Sequence, residues 1–322
     1  MAKLRAGVIG VGHLGQHHAR LYASLPDATL VGVVDHDHER ASLIGRQHGA
    51  AVFDDVSDLL KHVDIVSVAV PTSAHYCVTK ACLESGKHVL VEKPIAVLPI
   101  EARELVELAK IHRCTLQVGH SERFNPIMQM MRPHIGRPVL FEGQRMGVYS
   151  DRGTDVDVVL DLMIHDLDLV LSCGPGPVEE IRAAGLSVRS STSDVANAYI
   201  QFESGCVASL MASRVALKAM RHMHLLQLDG YLSIDFQARH GVVGRRSAEP
   251  GRKPMVTVEE FQAGDDEPLR LQIESFLRSI RTRSCPVVSG EDGTAALEVA
   301  NRVLSAIKAF GQRNCQGHRT FD

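Results

Sequence analysis

The sequence predicts an α/β fold: an N-terminal doubly wound Rossmann domain followed by a C-terminal α+β domain with a large, mostly antiparallel open sheet. Three observations carry this expectation. Short apolar runs at 4–9, 28–34, 65–70, 88–91 and 115–118 alternate with segments of helical period. The first run opens straight into Gly10-Val11-Gly12-His13-Leu14-Gly15, a strand-to-helix turn with three glycines. Beyond about residue 120 the pattern changes to period-two runs separated by glycine-bearing turns.

Taken in order, the five short, mostly apolar runs read as buried parallel strands. Segments 15–24, 74–85 and 100–112 carry spacing near 3.6 and read as the crossing helices. A helix is expected near 124–132, a strand over 138–147 and a strong helix over about 158–172. The runs 196–202, 207–212, 223–228 and 231–236 alternate and predict antiparallel strands, joined by turns such as Glu203-Ser204-Gly205 and Asp229-Gly230. Segments 187–193 and 237–254 read as exposed loops, and two helices, about 268–283 and 293–310, close the chain. The expected division is a dinucleotide-binding Rossmann domain over 1–119 and a substrate and oligomerisation domain over 120–322, with the last helices free to pack back on the first domain.

Composition narrows the function classes. The chain has 322 residues, 45% hydrophobic and 23% charged, with a formal net charge of −3, which offers no basic field for nucleic acid. No apolar stretch reaches bilayer length and the first residues lack a signal-peptide pattern, so the expected address is the cytoplasm, with no membrane partner. Seven scattered cysteines without a C-x-x-C pair read as reduced thiols. The alternating Asp35-His36-Asp37-His38 has no further ligands at matching spacing, and no metal is expected.

The glycine turn suits a dinucleotide. One glycine allows the tight turn, one leaves a bare backbone face for a pyrophosphate, and one permits close helix–strand contact. The helix N-terminus then presents free N–H groups and partial positive charge to the phosphates. Asp35 ends the second run, twenty residues after Gly15, where a carboxylate accepts hydrogen bonds from ribose hydroxyls. It repels a 2′-phosphate, while His36 and Arg40 beside it tolerate one; NAD is expected over NADP.

Two motifs bear on chemistry. Val91-Glu92-Lys93-Pro94 puts a lysine at the carboxyl edge of the fifth strand, where it can donate to a hydroxyl becoming an alkoxide; it also reads as a solvated strand-end lysine. In Asp161-Leu162-Met163-Ile164-His165-Asp166-Leu167-Asp168, a regular helix puts Asp161 and His165 on one face, about 6 Å apart in rise, with Asp168 on the same side. A histidine backed by carboxylates suits a general base; a surface ion pair accounts for the same spacing.

The combination of Gly10 to Gly15, Pro71 with His75, Glu92-Lys93-Pro94 and Asp161-x-x-x-His165 resembles the glucose-fructose oxidoreductase, inositol dehydrogenase and MocA (Gfo/Idh/MocA) family, as does the closing stretch from Glu267-Pro268-Leu269 through Gly290-Glu291-Asp292-Gly293. The resemblance implies an NAD(P)-dependent dehydrogenase acting on the CH–OH group of a sugar, with Lys93, His165 and Asp161 as the catalytic group. It implies cofactor contacts from Gly10, Gly12, His13, Leu14, Gly15, Asp35, Pro71, Thr72, His75, Glu92 and Lys93, and an open sheet that builds a homodimer or homotetramer. Many members carry glycine where Met163 stands, so a reshaped pocket floor is expected. A narrower likeness, in Gly119-His120-Ser121-Glu122-Arg123-Phe124-Asn125-Pro126 and around Asp161 to Asp166, is to the bacterial branch that oxidises the 3-hydroxyl of UDP-N-acetylglucosamine. It implies Arg123, Asn125, Asp161 and His165 as substrate contacts, with Arg123 suited to a phosphate or carboxylate; a helix-start arginine that only caps fits the same place. His165 is expected as the base and Lys93 as oxyanion stabiliser, though the inverted assignment fits the sequence equally. A free polyol or simple sugar as substrate, and a dinucleotide-binding regulator without turnover, are the rival readings.

Overall fold

A computed structural model describes residues 2–149, 156–247 and 255–317. The chain divides into two compact units, the first built from residues 1–124 and 266–294, the second from 125–265 and 295–322.

In the first unit strands and helices alternate: β1 (Leu4–Ile9), α1 (Gly15–Ser24), β2 (Ala28–Val34), α2 (His38–His48), β3 (Ala51–Val52), α3 (Val56–Leu60), β4 (Ile65–Val68), α4 (Thr72–Glu84), β5 (His88–Val91), α5 (Pro99–Ile111) and β6 (Leu116–Val118). The six strands pair in the order β3-β2-β1-β4-β5-β6, all parallel. This is the doubly wound order in which ligands collect at the carboxyl ends of the strands, where the order reverses. Local chemistry sets the helix limits. Asp37 caps α2 by accepting from the Arg40 N–H at 3.0 Å, and Gly49, at φ 66°, ends it. Asp55 caps α3 in the same way, and Pro99 opens α5, where a missing N–H costs nothing.

The second unit runs through α6 (Pro126–Met131), β7 (Pro138–Met146), a π-helical turn over Val159–Met163 that leads into α7 (Ile164–Ser172), then β8 (Val178–Leu186), β9 (Val195–Phe202), β10 (Val207–Ser213), β11 (Met220–Gln227), β12 (Gly230–Asp235), β13 (His240–Ser247) and β14 (Met255–Gln262). α8 (Pro268–Thr282) belongs to the first unit, burying Ile273, Phe276 and Leu277 in the same core as Val8, Leu21 and Tyr22. Most of α9 (Gly290–Gly317) belongs to the second. The eight strands pair in the order β14-β13-β12-β11-β7-β10-β9-β8, antiparallel except for β7 with β10. Register separates the two faces. Phe141, Leu210, Ala198, Leu225 and Leu232 enter the apolar core with α6, α7 and α9, while the opposite face carries Tyr199, Leu226, Tyr231 and Val258, all exposed.

Three expectations change, and β8 appears where no strand was expected. Segment 237–254 is not all loop: residues 240–247 form β13, paired on both sides, and 248–254 lie outside the described residues. Its two glycines and two arginines hide an alternation that the ladder imposes. β8, on the sheet edge, carries no clean alternation, since its residues are mostly half-buried. The helix expected over 124–132 is divided at Asn125, whose side chain caps α6. The helix expected over 158–172 begins as a π turn, so the regular 3.6 spacing holds only from Ile164 onward.

Candidate active site

The three glycines divide three steric tasks. Gly10 has φ +82°, and a Cβ there would lie 2.7 Å from the Ala69 carbonyl oxygen; a Cβ on Gly15 would strike the Gly10 carbonyl oxygen. Neither position admits a side chain without movement. Gly12 meets nothing within 4 Å and leaves an open backbone face. The turn therefore fits a dinucleotide, with the tight bend at Gly10, the close packing at Gly15 and the bare approach at Gly12. His13 and Leu14 between them are exposed.

The other first-unit candidates follow the carboxyl ends of their strands: Asp35 after β2, Pro71 and Thr72 shortly after β4, Glu92 and Lys93 after β5. Asp35 is buried and heavily engaged. One oxygen accepts from the Val11 N–H at 2.7 Å and Arg40 Nε at 3.2 Å; the other accepts from the Asp37 N–H at 2.9 Å and Arg40 Nη2 at 2.6 Å, with His36 Nδ1 at 3.1 Å. Burial pushes this carboxyl up, but Arg40 and the two backbone N–H groups outweigh it and hold Asp35 below the ordinary carboxylate value. A carboxylate has about four lone-pair sites, so any further donor that reaches Asp35 has to compete with Arg40, whose side chain is 35% exposed.

His75 lies deeper than a cofactor contact requires. It is 1% exposed, and its ring nitrogens sit 2.7 Å from the Pro94 carbonyl and 2.9 Å from the Val70 carbonyl. It thereby ties the turn after Lys93 to the end of the loop after β4. Lys93 itself is half-buried and its peptide bond to Pro94 is cis. Glu92 is buried against His18, Nε2 to Oε1 at 3.0 Å. A Cβ on Gly119 would come within 2.8 Å of the Glu92 carboxylate.

Arg123 lies in a short 3₁₀ turn, Ser121–Phe124, with its side chain buried 3.4 Å from Asp292 and donating to the Val287 carbonyl at 3.4 Å. Asn125 accepts from the Ile127 N–H and donates to the Phe236 carbonyl at 3.2 Å. Both residues thus tie this turn to segments far along the chain.

In the second unit Asp161 sits in the π turn and His165 in the first turn of α7, both half-buried. Asp161 precedes the regular helix, so it and His165 are not stacked at the α-helical pitch that their spacing in the sequence predicts. Asp157 starts the segment by accepting from the N–H groups of Val159 and Ser193, at 2.9 and 3.0 Å. Asp166, next to His165, receives a buried Arg145 guanidinium from β7, with Nη2 to Oδ1 at 2.7 Å. This pair sets the rotation of the helix that carries His165. Asp168 is also buried. Met163 is fully buried in the apolar core of this unit.

Sequence reasoning passed over His18, Arg40 as the partner of Asp35, and the Arg145–Asp166 pair. The available signal for His18 was a polar residue on the buried stripe of α1, beside Ala19 and four before Tyr22. Among the described residues no group of three or more His, Cys, Asp or Glu is placed to hold a metal ion.

Residues 4–120 match the oxidoreductase family with an NAD-binding Rossmann fold, and residues 128–231 match the GFO/IDH/MocA C-terminal domain. The chain is 37% identical over 317 residues to UDP-N-acetylglucosamine 3-dehydrogenase of Acidithiobacillus ferrooxidans, covering 97% of this chain and 100% of that protein. A solved structure of that enzyme superposes with a TM-score of 0.91 at 36% identity, over 96% of this chain and 99% of the other. The scyllo-inositol 2-dehydrogenase (NAD(+)) of Bacillus subtilis is 27% identical over 96% of this chain and 94% of its own. Glycine turn, strand order and end-to-end likeness agree: this chain belongs to the GFO/IDH/MocA family of NAD-binding oxidoreductases.

Proposed function

We propose that this dehydrogenase oxidises the 3-hydroxyl of a UDP-N-acetylhexosamine, with NAD as hydride acceptor. The observation that carries the substrate is the likeness to the Acidithiobacillus enzyme over the full length of both chains. NAD, when bound, supplies the electrophilic carbon that takes the hydride. Gly10, Gly12, His13, Leu14 and Gly15 cradle its pyrophosphate, and Asp35 faces its ribose. Pro71, Thr72, His75, Glu92 and Lys93 shape the nicotinamide end, His75 by bracing the turn rather than by contact.

His165 takes the hydroxyl proton as the carbon gives up its hydride, Asp161 orients the ring, and Lys93 donates to the oxygen as negative charge develops on it. Arg123 and Asn125 shape the loop that meets the sugar nucleotide. In this reading residues 1–119 hold NAD, and residues 120–322 carry the substrate and assemble the protein as a homodimer or homotetramer. Support for the assembly comes from the uncovered sheet face with Tyr199, Leu226, Tyr231 and Val258. The six described cysteines are all free thiols, as suits a reducing cytoplasm.

The test is NADH formation with UDP-N-acetylglucosamine, myo-inositol and glucose, each at saturating NAD. Turnover of the nucleotide sugar is expected to exceed that of the others by at least about a hundredfold in kcat/KM; preference for a polyol, or no turnover at all, overturns it. Lys93→Ala and His165→Ala are each expected to lower kcat by about 10²–10³-fold. Loss of the acid limb of the pH profile in the His165 variant alone identifies the base.

A further inference from the structure

Four polar side chains run through the interior of the first unit. Tyr22 and His18, one turn apart on α1, both reach Ser67 on the central strand β4. The Tyr22 hydroxyl lies 3.0 Å from Ser67 Oγ, Ser67 Oγ lies 2.9 Å from His18 Nδ1, and His18 Nε2 lies 3.0 Å from Glu92 Oε1. The first three are fully buried and Glu92 nearly so. Polar groups at such depth are costly unless each has its partner, and apolar side chains of like size would fill the space.

The direction of donation follows from the end members. An ionised carboxylate only accepts, so His18 Nε2 carries the proton facing Glu92. Ser67 Oγ links the other ring nitrogen, Nδ1, to the Tyr22 hydroxyl. Burial pushes Tyr22 far above its ordinary value and keeps it a donor. Burial also pushes Glu92 up, yet the hydrogen bond from His18 and the charge interactions with His18, Lys93 and His75 outweigh it, and Glu92 is held below the ordinary carboxylate value. The groups that bear on Glu92 are His18 from α1, His75 from α4 and its neighbour Lys93. On the β6 side the backbone of Gly119 approaches the Glu92 carboxylate, and the buried His120 follows it in the chain.

We propose that His18, backed by Ser67 and Tyr22, is a positioning residue: by holding the Glu92 side chain in place it fixes the turn that carries Lys93, the next residue in the chain. This rests on the catalytic reading of Lys93. It also gives α1, whose first turn follows the glycine turn, a polar connection to the lysine turn.

The experiment compares His18→Leu, His18→Gln, Ser67→Ala, Tyr22→Phe, Glu92→Gln and Lys93→Ala in the full-length protein. For each it measures thermal stability, NAD affinity by calorimetry, kcat and KM for the sugar nucleotide. His18→Leu leaves Glu92 buried without its donor and loosens the turn that carries Lys93. It is expected to lower kcat about tenfold, with KM and NAD affinity within about twofold. Glu92→Gln, at a residue of the cofactor site itself, is expected to lower kcat by at least as much. His18→Gln keeps an N–H for the carboxylate and is expected to recover most of the loss. Tyr22→Phe and Ser67→Ala, which leave the ring in place, are expected to show the same loss of kcat in smaller measure, and they carry the test if His18→Leu does not fold. An unchanged kcat in these variants, with only stability reduced, makes the chain of groups structural and overturns the inference. Full activity in Lys93→Ala instead removes the catalytic reading of Lys93, and the inference with it.

Discussion

The glycines of the first turn show how far a single residue can be assigned from its neighbours in space. All three belong to one motif, yet they answer different constraints: Gly10 and Gly15 face backbone, whereas Gly12 faces open space. Substitution separates the roles. Gly15→Ala drives a Cβ into the Gly10 carbonyl and is expected to cost about 1–3 kcal/mol of stability, read by denaturant unfolding. Gly12→Ala is expected to leave stability unchanged and to weaken NAD binding about tenfold or more, because the methyl group occupies the phosphate approach; equal losses of stability in both variants contradict this division. These positions were legible because the motif is local. The partners of Arg123, Asn125 and Met163 were not legible in this way: a carboxylate and carbonyls far along the chain, and an apolar core, receive their side chains.

At the scale of elements, period and punctuation located most strands and helices within a few residues. The failures have definite causes. β13 has polar and glycine positions that only pairing with β12 and β14 turns into a strand, and the π turn of Val159–Met163 has no period that distinguishes it from the α-helix it enters. The setting of α7 depends on Arg145 from β7, twenty-one residues away, closing on Asp166. Asp166→Ala strands a buried guanidinium and is expected to destabilise the protein by about 3–5 kcal/mol, measured by urea unfolding of the purified variant. A loss under about 1 kcal/mol would mean that Arg145 finds another acceptor or reaches water.

At the scale of the whole molecule, folding shows up in protonation. His88 accepts the Thr115 N–H on Nδ1 at 2.8 Å, which needs a neutral ring, and burial pushes its value below that of an ordinary histidine. Asp35, Asp64, Glu92 and Asp194 are held below the ordinary carboxylate range. Burial opposes this at Asp35, Glu92 and Asp194 and is outweighed by hydrogen bonds; at Asp64 the Arg5 side chain is the main cause. In both cases the unfolded chain takes up protons at a higher pH than the native one. Stability from these groups is therefore complete above the unfolded values and falls as the pH drops through them. Melting temperature is expected to decline in two stages, the first beginning near pH 6.5 and the second near pH 4. A curve flat from pH 7 to 5 would show that the native fold binds His88 in its charged form as readily as the unfolded chain does.

What the sequence alone determined is what short-range sterics and periodicity control: the glycine turn, the alternation that makes a doubly wound sheet, the change to an antiparallel pattern near residue 120, and the motif positions Glu92-Lys93-Pro94 and Asp161 to His165. Tertiary structure alone decided the partners of the charged and polar groups: Arg40 for Asp35, Arg145 for Asp166, His18 for Glu92, and the return of α8 to the core of the first unit. The physical reason is one of range. Backbone torsions and face periodicity are set within a few residues. The protonation and orientation of a buried group instead depend on contacts between residues far apart in the chain, and their spacing in the sequence does not encode those contacts.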